Sequence, residues 1–315
     1  MTKRQIQLIF NFYGRFSLSF TSIGYHCRRM FWRESGRDLK NKNVLVTGAS
    51  GGIGSDVVLG TLESGATVFA AARNQKKLDQ LRDRVPAACK EKMKDTVFDL
   101  SLQSDIRKMV DGFAQSGEKI DVLVNNVGLM IHDLTITEEG FETSFATNIL
   151  NHYLLTKTLI EKDLLSEDAV IINISSGGMY NAPLLSAAMN NTTPSHNGGV
   201  AYTLHKRAQV ALTGYWRKKH QDSKMSFYVM HPGWVDTDGV KTALPTFRKF
   251  LQLILRDEAK GADTIKWLAR EVPAQSDEEK IWFDRKPRNI HLNNQTLNAS
   301  CSKEELVDFL ESQIL

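Results

Sequence analysis

Between residues 47 and 54 the chain reads Thr47-Gly48-Ala49-Ser50-Gly51-Gly52-Ile53-Gly54, four glycines in eight residues. The short apolar run Asn43–Thr47 precedes it. A helical pattern follows from Ile53 to about Ser64, with Gly65 as the stop signal. Glycine adopts positive φ without strain and lets backbone approach a ligand closely. A strand that turns through glycines into a helix presents free N–H groups and the positive end of the helix dipole to an anion. A flexible turn would need glycine too, but the strand–helix junction is where pyrophosphate binding requires it.

The rest of the chain alternates in the same way. Strand-like runs lie at Thr67–Ala72, Asp95–Asp99, Asp121–Asn125, Ala169–Ser175 and Met225–Met230, with a short one at Ile281–Phe283. Helical patterns cover Gln103–Gln115, Phe145 to about Lys162, and Val200–Lys219. The last carries Leu204, Ala208, Ala211, Leu212 and Tyr215 on one stripe. Alternating strands and helices predict a three-layer α/β fold with a doubly wound parallel sheet. Residues 41–315 read as one domain of that kind. Within it, residues 181–199 read as a substrate-side loop and 233–280 as a flap.

Composition excludes several classes. Of 315 residues 42% are hydrophobic and 24% charged, which is ordinary for a globular protein. Residues 1–40 hold eight Lys and Arg against two Asp and Glu, more than the whole formal charge of +4. The body therefore lacks the basic face a nucleic-acid-binding module needs. Cys27, Cys89 and Cys301 have neither disulfide nor metal-ligand spacing, which suits a reducing, cytoplasmic setting. No metal site is expected.

In residues 1–40, Ile6, Ile9, Tyr13, Phe16, Phe20 and Ile23 recur at helical spacing, flanked by Lys3, Arg4, Arg15, Arg28, Arg29 and Arg33. Such an amphipathic helix suits an anionic membrane surface, or packing on the domain or on a second copy.

Two positions bear on the cofactor. NAD-binding folds usually place Asp or Glu after the second strand, for the ribose 2′-hydroxyl. This chain has Ala71-Ala72-Arg73-Asn74, and Arg73 can meet a 2′-phosphate with a charge-assisted fork. NADP(H) is therefore expected in preference to NAD(H). Asp99 suits either the adenine amino group or a helix cap.

Tyr202 and Lys206, four apart on a helix, share a face. A free phenol has a pKa of about 10, and a neighbouring ammonium favours the phenolate. The pair can therefore exchange a proton with an alcohol or carbonyl oxygen. Ser175 and Ser176 end the preceding strand, where ligands bind in a doubly wound sheet, and either could meet the substrate oxygen. His205 reads as a helix-surface or packing residue, and His231 as structural.

Taken in order, these motifs resemble the short-chain dehydrogenase/reductase family over roughly residues 40–290. Thr47–Gly54 matches its T-G-x-x-x-G-x-G turn, Asn125-Asn126-Val127-Gly128 its N-N-A-G, and Tyr202 with Lys206 its Y-x-x-x-K pair. Pro232-Gly233 with Thr237 resembles the segment that meets the nicotinamide. The resemblance implies a Rossmann fold and assigns roles. Tyr202 would carry the proton. Lys206 would lower its pKa and hold the nicotinamide ribose. Ser176 would polarise the carbonyl, and Asn148 would hold a relay water. It also implies that Gly48, Ser50, Gly52, Ile53, Gly54, Arg73, Asp99, Asn125, Asn126, Gly128, Pro232, Gly233, Val235 and Thr237 contact the cofactor.

Two departures stand out: Val127 replaces Ala, and Ser176 and Tyr202 lie 26 apart, the extra length falling in 181–199. A closer likeness within the family rests on Ser175–Met179, His231–Thr237 and Trp282–Pro287. The expected substrate is an apolar carbonyl or alcohol, met by Met130, Leu184, Trp234 and Leu244 unless these are core residues, and the expected assembly is a homo-oligomer. The rival reading is a cofactor-binding scaffold or redox sensor, which has no need of Ser176, Tyr202 and Lys206 together.

Overall fold

The computed structural model describes residues 16, 18–33, 36–275, 278–292 and 294–315. Eight strands form one sheet: β1 Asn43–Thr47, β2 Thr67–Ala72, β3 Met93–Val97, β4 Ile120–Asn125, β5 Leu165–Ile174, β6 Ser226–Met230, β7 Lys280–Phe283 and β8 Lys286–Asn289. Their order is β3-β2-β1-β4-β5-β6-β7-β8. All neighbours are parallel except β7 and β8, which form an antiparallel hairpin. The order reverses between β1 and β4, so a crevice opens at their C-terminal ends.

The sheet is doubly covered, which is why β1, β2, β4 and β6 read as unbroken apolar runs. In β1, Leu45 faces one layer with Ile106, Ile149, Leu155 and Leu204. Val44 and Val46 face the other, with Val57, Val58, Ile265 and Leu268. The helices Gln103–Ser116, Asn151–Glu161 and Gly198–Lys219 thus lie on one face, and Gly52–Glu63 and Glu258–Glu271 on the other.

Two local expectations are corrected, further elements appear, and one open reading is decided. The third strand begins at Met93 rather than Asp95, because pairing with Val68–Ala72 sets its register. The long helix expected from Phe145 is interrupted. It has a single turn at Thr143–Phe145, a π-turn at Ala146–Leu150, and α-helix only from Asn151 to Glu161. The helices Gln75–Arg84 and Lys303–Glu311, and strand β8, were not foreseen. Leu184 is core: it is buried on the sheet face that holds Leu204 and Leu212.

The N-terminal stripe falls partly outside the described residues, which exclude Ile6, Ile9 and Tyr13. Phe16 and Phe20 are buried on the domain, against Tyr180, Val229 and Phe283. Among the described residues of this segment a helix runs from Ser22 to Arg29, with Ile23 exposed. Among the described residues no helix is long and apolar enough to cross a membrane.

Arg256 is buried to 1% exposure and carries a forked ion pair to Asp284, with Nη1–Oδ1 2.6 Å and Nη2–Oδ2 2.8 Å. Arg28 Nε reaches the same carboxylate at 2.6 Å. Removing one member of such a pair strands a buried charge, at a cost of roughly 3–5 kcal/mol.

Candidate functional site

The glycine turn has the backbone its composition predicts. Gly48 and Gly52 have φ of +65° and +56°, and helix begins at Gly52. A Cβ on Gly54 would lie 2.2 Å from the Gly48 carbonyl oxygen, so helix and turn touch through bare backbone. A Cβ on Gly51 would meet nothing within 4 Å, leaving that side of the turn open. The turn fits a pyrophosphate: positive-φ glycines, a helix N-terminus and open space coincide. Neighbouring groups hold it. Asn126 Nδ2 donates to Thr47 O at 2.9 Å, and Thr47 Oγ1 accepts from Asn126 N at 2.9 Å. Thr237 comes over the turn, its Cγ2 3.5 Å from where a Gly52 Cβ would be.

Arg73 is exposed just past β2 and makes no hydrogen bond or ion pair with the described residues. Beside it Asn74 Oδ1 caps the next helix by accepting from Lys77 N at 3.1 Å. Asp99 Oδ1 accepts from Ser101 N at 2.8 Å, closing a turn before the helix that starts at Gln103. Asn125 departs from expectation. Its amide is fully buried, donating to Asn173 Oδ1 at 2.9 Å and Thr156 Oγ1 at 3.1 Å, so the side chain braces β4 against β5.

Ser176, Tyr202 and Lys206 converge beyond the end of β5. Ser175 is excluded as the reacting serine: its hydroxyl is buried and donates to Lys206 O at 2.7 Å. Ser176 caps the next turn, accepting from Gly178 N at 3.2 Å, and a Cβ on Gly178 would lie 3.7 Å from Ser176 Oγ and 3.6 Å from Tyr202 Cε1, so the two side chains flank the same point. Lys206 is buried to 2% exposure, and its Nζ donates to Ile174 O at 2.8 Å, 5.5 Å from the Tyr202 ring centroid. A Cβ on Gly128 would lie 2.9 Å from that Nζ, so Gly128 borders the lysine head closely.

Burial pushes the Tyr202 phenol up, with Ser176 pulling the other way. Burial also brings Lys206 down to about 7. In this state burial is the largest influence on both groups.

Asn148 lies in the π-turn, a distortion frequent at functional sites. Its Oδ1 accepts from Leu129 N and its Nδ2 donates to Leu129 O, both at 2.7 Å. The side chain therefore braces the segment after β4, and Gln209 Nε2 donates to its backbone oxygen at 2.7 Å. His205 is fully buried, not on the surface: Nδ1 lies 3.4 Å from Asn148 Nδ2 and Nε2 3.0 Å from Met189 O. It ties the 181–199 loop to the π-turn, a link that only the fold could reveal. His231 is structural, stacked on Phe283 at 4.2 Å.

Burial brings His152 down to about 3 and His205 to about 4, and lowers His231 well below the usual value. The unfolded chain takes up protons at about pH 6.5 while the fold refuses them, so stability falls as pH drops from there. Each neutral histidine removes roughly 1.4 kcal/mol per pH unit between about pH 6 and pH 4. Urea midpoints should therefore fall steeply from pH 6.5 to pH 4.5, and His205→Gln should flatten the slope. An unchanged slope in His205→Gln would refute its share.

Of the apolar positions expected near substrate, Trp234 packs edge-on against Phe247 at 5.2 Å, within the 233–280 segment. Met130 and Leu244 are half-buried.

The family model described as short chain dehydrogenase matches residues 42–246. The chain is 35% identical over 300 residues to Dehydrogenase/reductase SDR family member 12 of Homo sapiens, covering 93% of each chain. It is 27% identical over 273 residues to Retinol dehydrogenase 12 of Homo sapiens, covering 84% of this chain and 86% of that one. Among solved structures it resembles an uncharacterized protein from Mycobacterium Paratuberculosis, with TM-score 0.71 and 21% identity over 88% of this chain and 95% of that one. An angucycline C-6 ketoreductase with bound NADP has TM-score 0.60 and 21% identity over 75% and 91% of the two chains. The relatives and the matched model agree with the crevice geometry: the chain belongs to the short-chain dehydrogenase/reductase family, whose members are nicotinamide-dependent oxidoreductases of small molecules.

Proposed function

We propose that this protein interconverts a carbonyl and an alcohol on an apolar small molecule, using NADP(H). The observation that carries the reading is the meeting of Ser176, Tyr202 and Lys206 beyond β5, on the crevice shared with the Gly48–Gly54 turn. Turn backbone and the helix N-terminus would hold the pyrophosphate. Lys206 and the Pro232–Thr237 segment would hold the nicotinamide end. When bound, the nicotinamide supplies or accepts the hydride.

The remaining chemistry belongs to the chain. Ser176 Oγ donates to the substrate oxygen and orients it. Tyr202 Oη delivers the proton to that oxygen, or removes it in the reverse direction. Ribose hydroxyls would give the Lys206 ammonium new acceptors beside Ile174 O. Its pKa would then rise, and its charge would favour the phenolate.

NADP(H) is supported by two features of the same corner: no carboxylate follows β2, and the exposed Arg73 guanidinium has no partner among the described residues. Arg73→Ala should weaken NADPH binding about tenfold to a hundredfold and leave NADH within about twofold, given the strength of charge-assisted contacts to phosphate. Fluorescence titration of both cofactors checks this. Equal loss for both would remove the argument.

A further inference from the structure

The N-terminal segment reaches into the cofactor side of the site. Phe20 is buried to 3% exposure. Its ring meets His231 edge-on at 4.6 Å and Phe283 at 5.0 Å. A Cβ on Gly177, the residue after Ser176, would lie 2.8 Å from Phe20 Cε2. The ring therefore occupies the space beside the corner that carries the Ser176 hydroxyl.

Its backbone does as much. Phe20 O accepts from Trp234 N and from Arg256 Nε, each at 2.9 Å. Arg256 Nη1 donates to Pro232 O at 3.1 Å, while its backbone pairs with Trp234 and Asp236. Gly233 sits between them with φ +80°, and a Cβ there would lie 2.7 Å from Phe20 O and 2.6 Å from Arg256 Nε. Asp284 neutralises Arg256 from behind, and Arg28 closes the clamp. The segment Pro232–Thr237 is thus gripped by a residue over two hundred positions earlier in the chain.

We propose that Phe20 and Arg256 are positioning residues for the nicotinamide end of the site. Phe20 sets the Ser176–Gly177 corner, and the two together set the backbone of Pro232–Thr237. The assignment rests on the oxidoreductase reading above. It gives the basic, aromatic N-terminal segment a role that a membrane anchor or a surface helix would not have. Neither Phe20 nor Arg256 hydrogen-bonds the Gly48–Gly54 turn, which the gripped segment meets through Thr237, so the adenine end should be far less sensitive to them than the nicotinamide end.

The test uses the full-length protein and two probes. Adenosine 2′,5′-bisphosphate reads the adenine end. NADPH emission, excited through tryptophan, reads the docking of the nicotinamide, with Trp234 in the gripped segment. Phe20→Leu and Arg256→Lys should bind the bisphosphate within about twofold of the parent yet show less than about half its NADPH emission. With a carbonyl that the parent reduces, kcat should fall about tenfold and KM for NADPH change less than about threefold. Leu18→Ser, an exposed position in the same segment, should match the parent in all three. Variants that match the parent in emission and kcat would overturn the inference alone. So would equal loss of both probes, which is damage to the whole fold. Should Arg256→Lys fail to fold, Phe20→Leu decides by the same criteria. A parent that binds neither probe would overturn the oxidoreductase reading and this inference with it.

Discussion

Tyr202→Phe should lower turnover about a hundredfold to ten-thousandfold while leaving NADPH affinity within about threefold. The substitution removes one oxygen and keeps the ring that packs beside Gly178 and Lys206. Without the hydroxyl, the substrate oxygen must take its proton from water, and a positioned acid–base group contributes about a hundredfold to ten-thousandfold. The loss should therefore fall in kcat, because the proton moves only in the transition state. Steady-state kinetics with a carbonyl reduced by the parent, beside a cofactor titration, checks both halves. Parent-level turnover would remove Tyr202 from the mechanism.

Gly54→Ala should weaken cofactor binding about a hundredfold without touching the proton-transfer residues. The new methyl would be built 2.2 Å from Gly48 O and 2.9 Å from Gly48 C, against backbone rather than a mobile side chain. Helix and turn must part, and the N–H groups at the helix start lose their aim at the phosphates. A rise in the NADPH dissociation constant of about a hundredfold, or about 2.7 kcal/mol, is expected. Melting should also move down by several degrees, since core packing between Gly52–Glu63 and the sheet is disturbed. Calorimetric titration beside a melting curve checks this. Tight binding by Gly54→Ala would mean that the turn is not the phosphate cradle.

These two residues also show what is legible before any fold is known. Gly54 and Tyr202 belong to local signals, a turn between periodic segments and a pair four apart on a helix. Local signals survive in sequence because neighbouring residues make them. The sheet was legible for the same reason: unbroken apolar runs in β1, β2, β4 and β6 can only be covered on both faces.

What was hidden depends on contacts distant in the chain. The π-turn at Ala146–Leu150 is set by Asn148 bracing Leu129 and by His205 behind it, and no spacing rule announces it. Arg256 carried no motif, yet it becomes one of the largest fully buried side chains because Asp284 and the Phe20 carbonyl wait for it. The stripe through Phe16 and Phe20 was legible as amphipathic, but its partner was not: the same spacing suits a lipid surface or a protein core. The effect of burial on the charge states was hidden for a related reason. Burial, which acts on Tyr202 and Lys206 together, is a property of the whole fold.

The most direct test of the account follows the hydride. NADPH stereospecifically deuterated at the reacting carbon of the nicotinamide is supplied to the parent enzyme with an apolar aldehyde or ketone, and the alcohol is analysed by mass spectrometry. The account predicts one deuterium at the carbinol carbon from one face of the ring and none from the other, and no product with Tyr202→Phe. Product without deuterium from either face, or undiminished product with Tyr202→Phe, would contradict it.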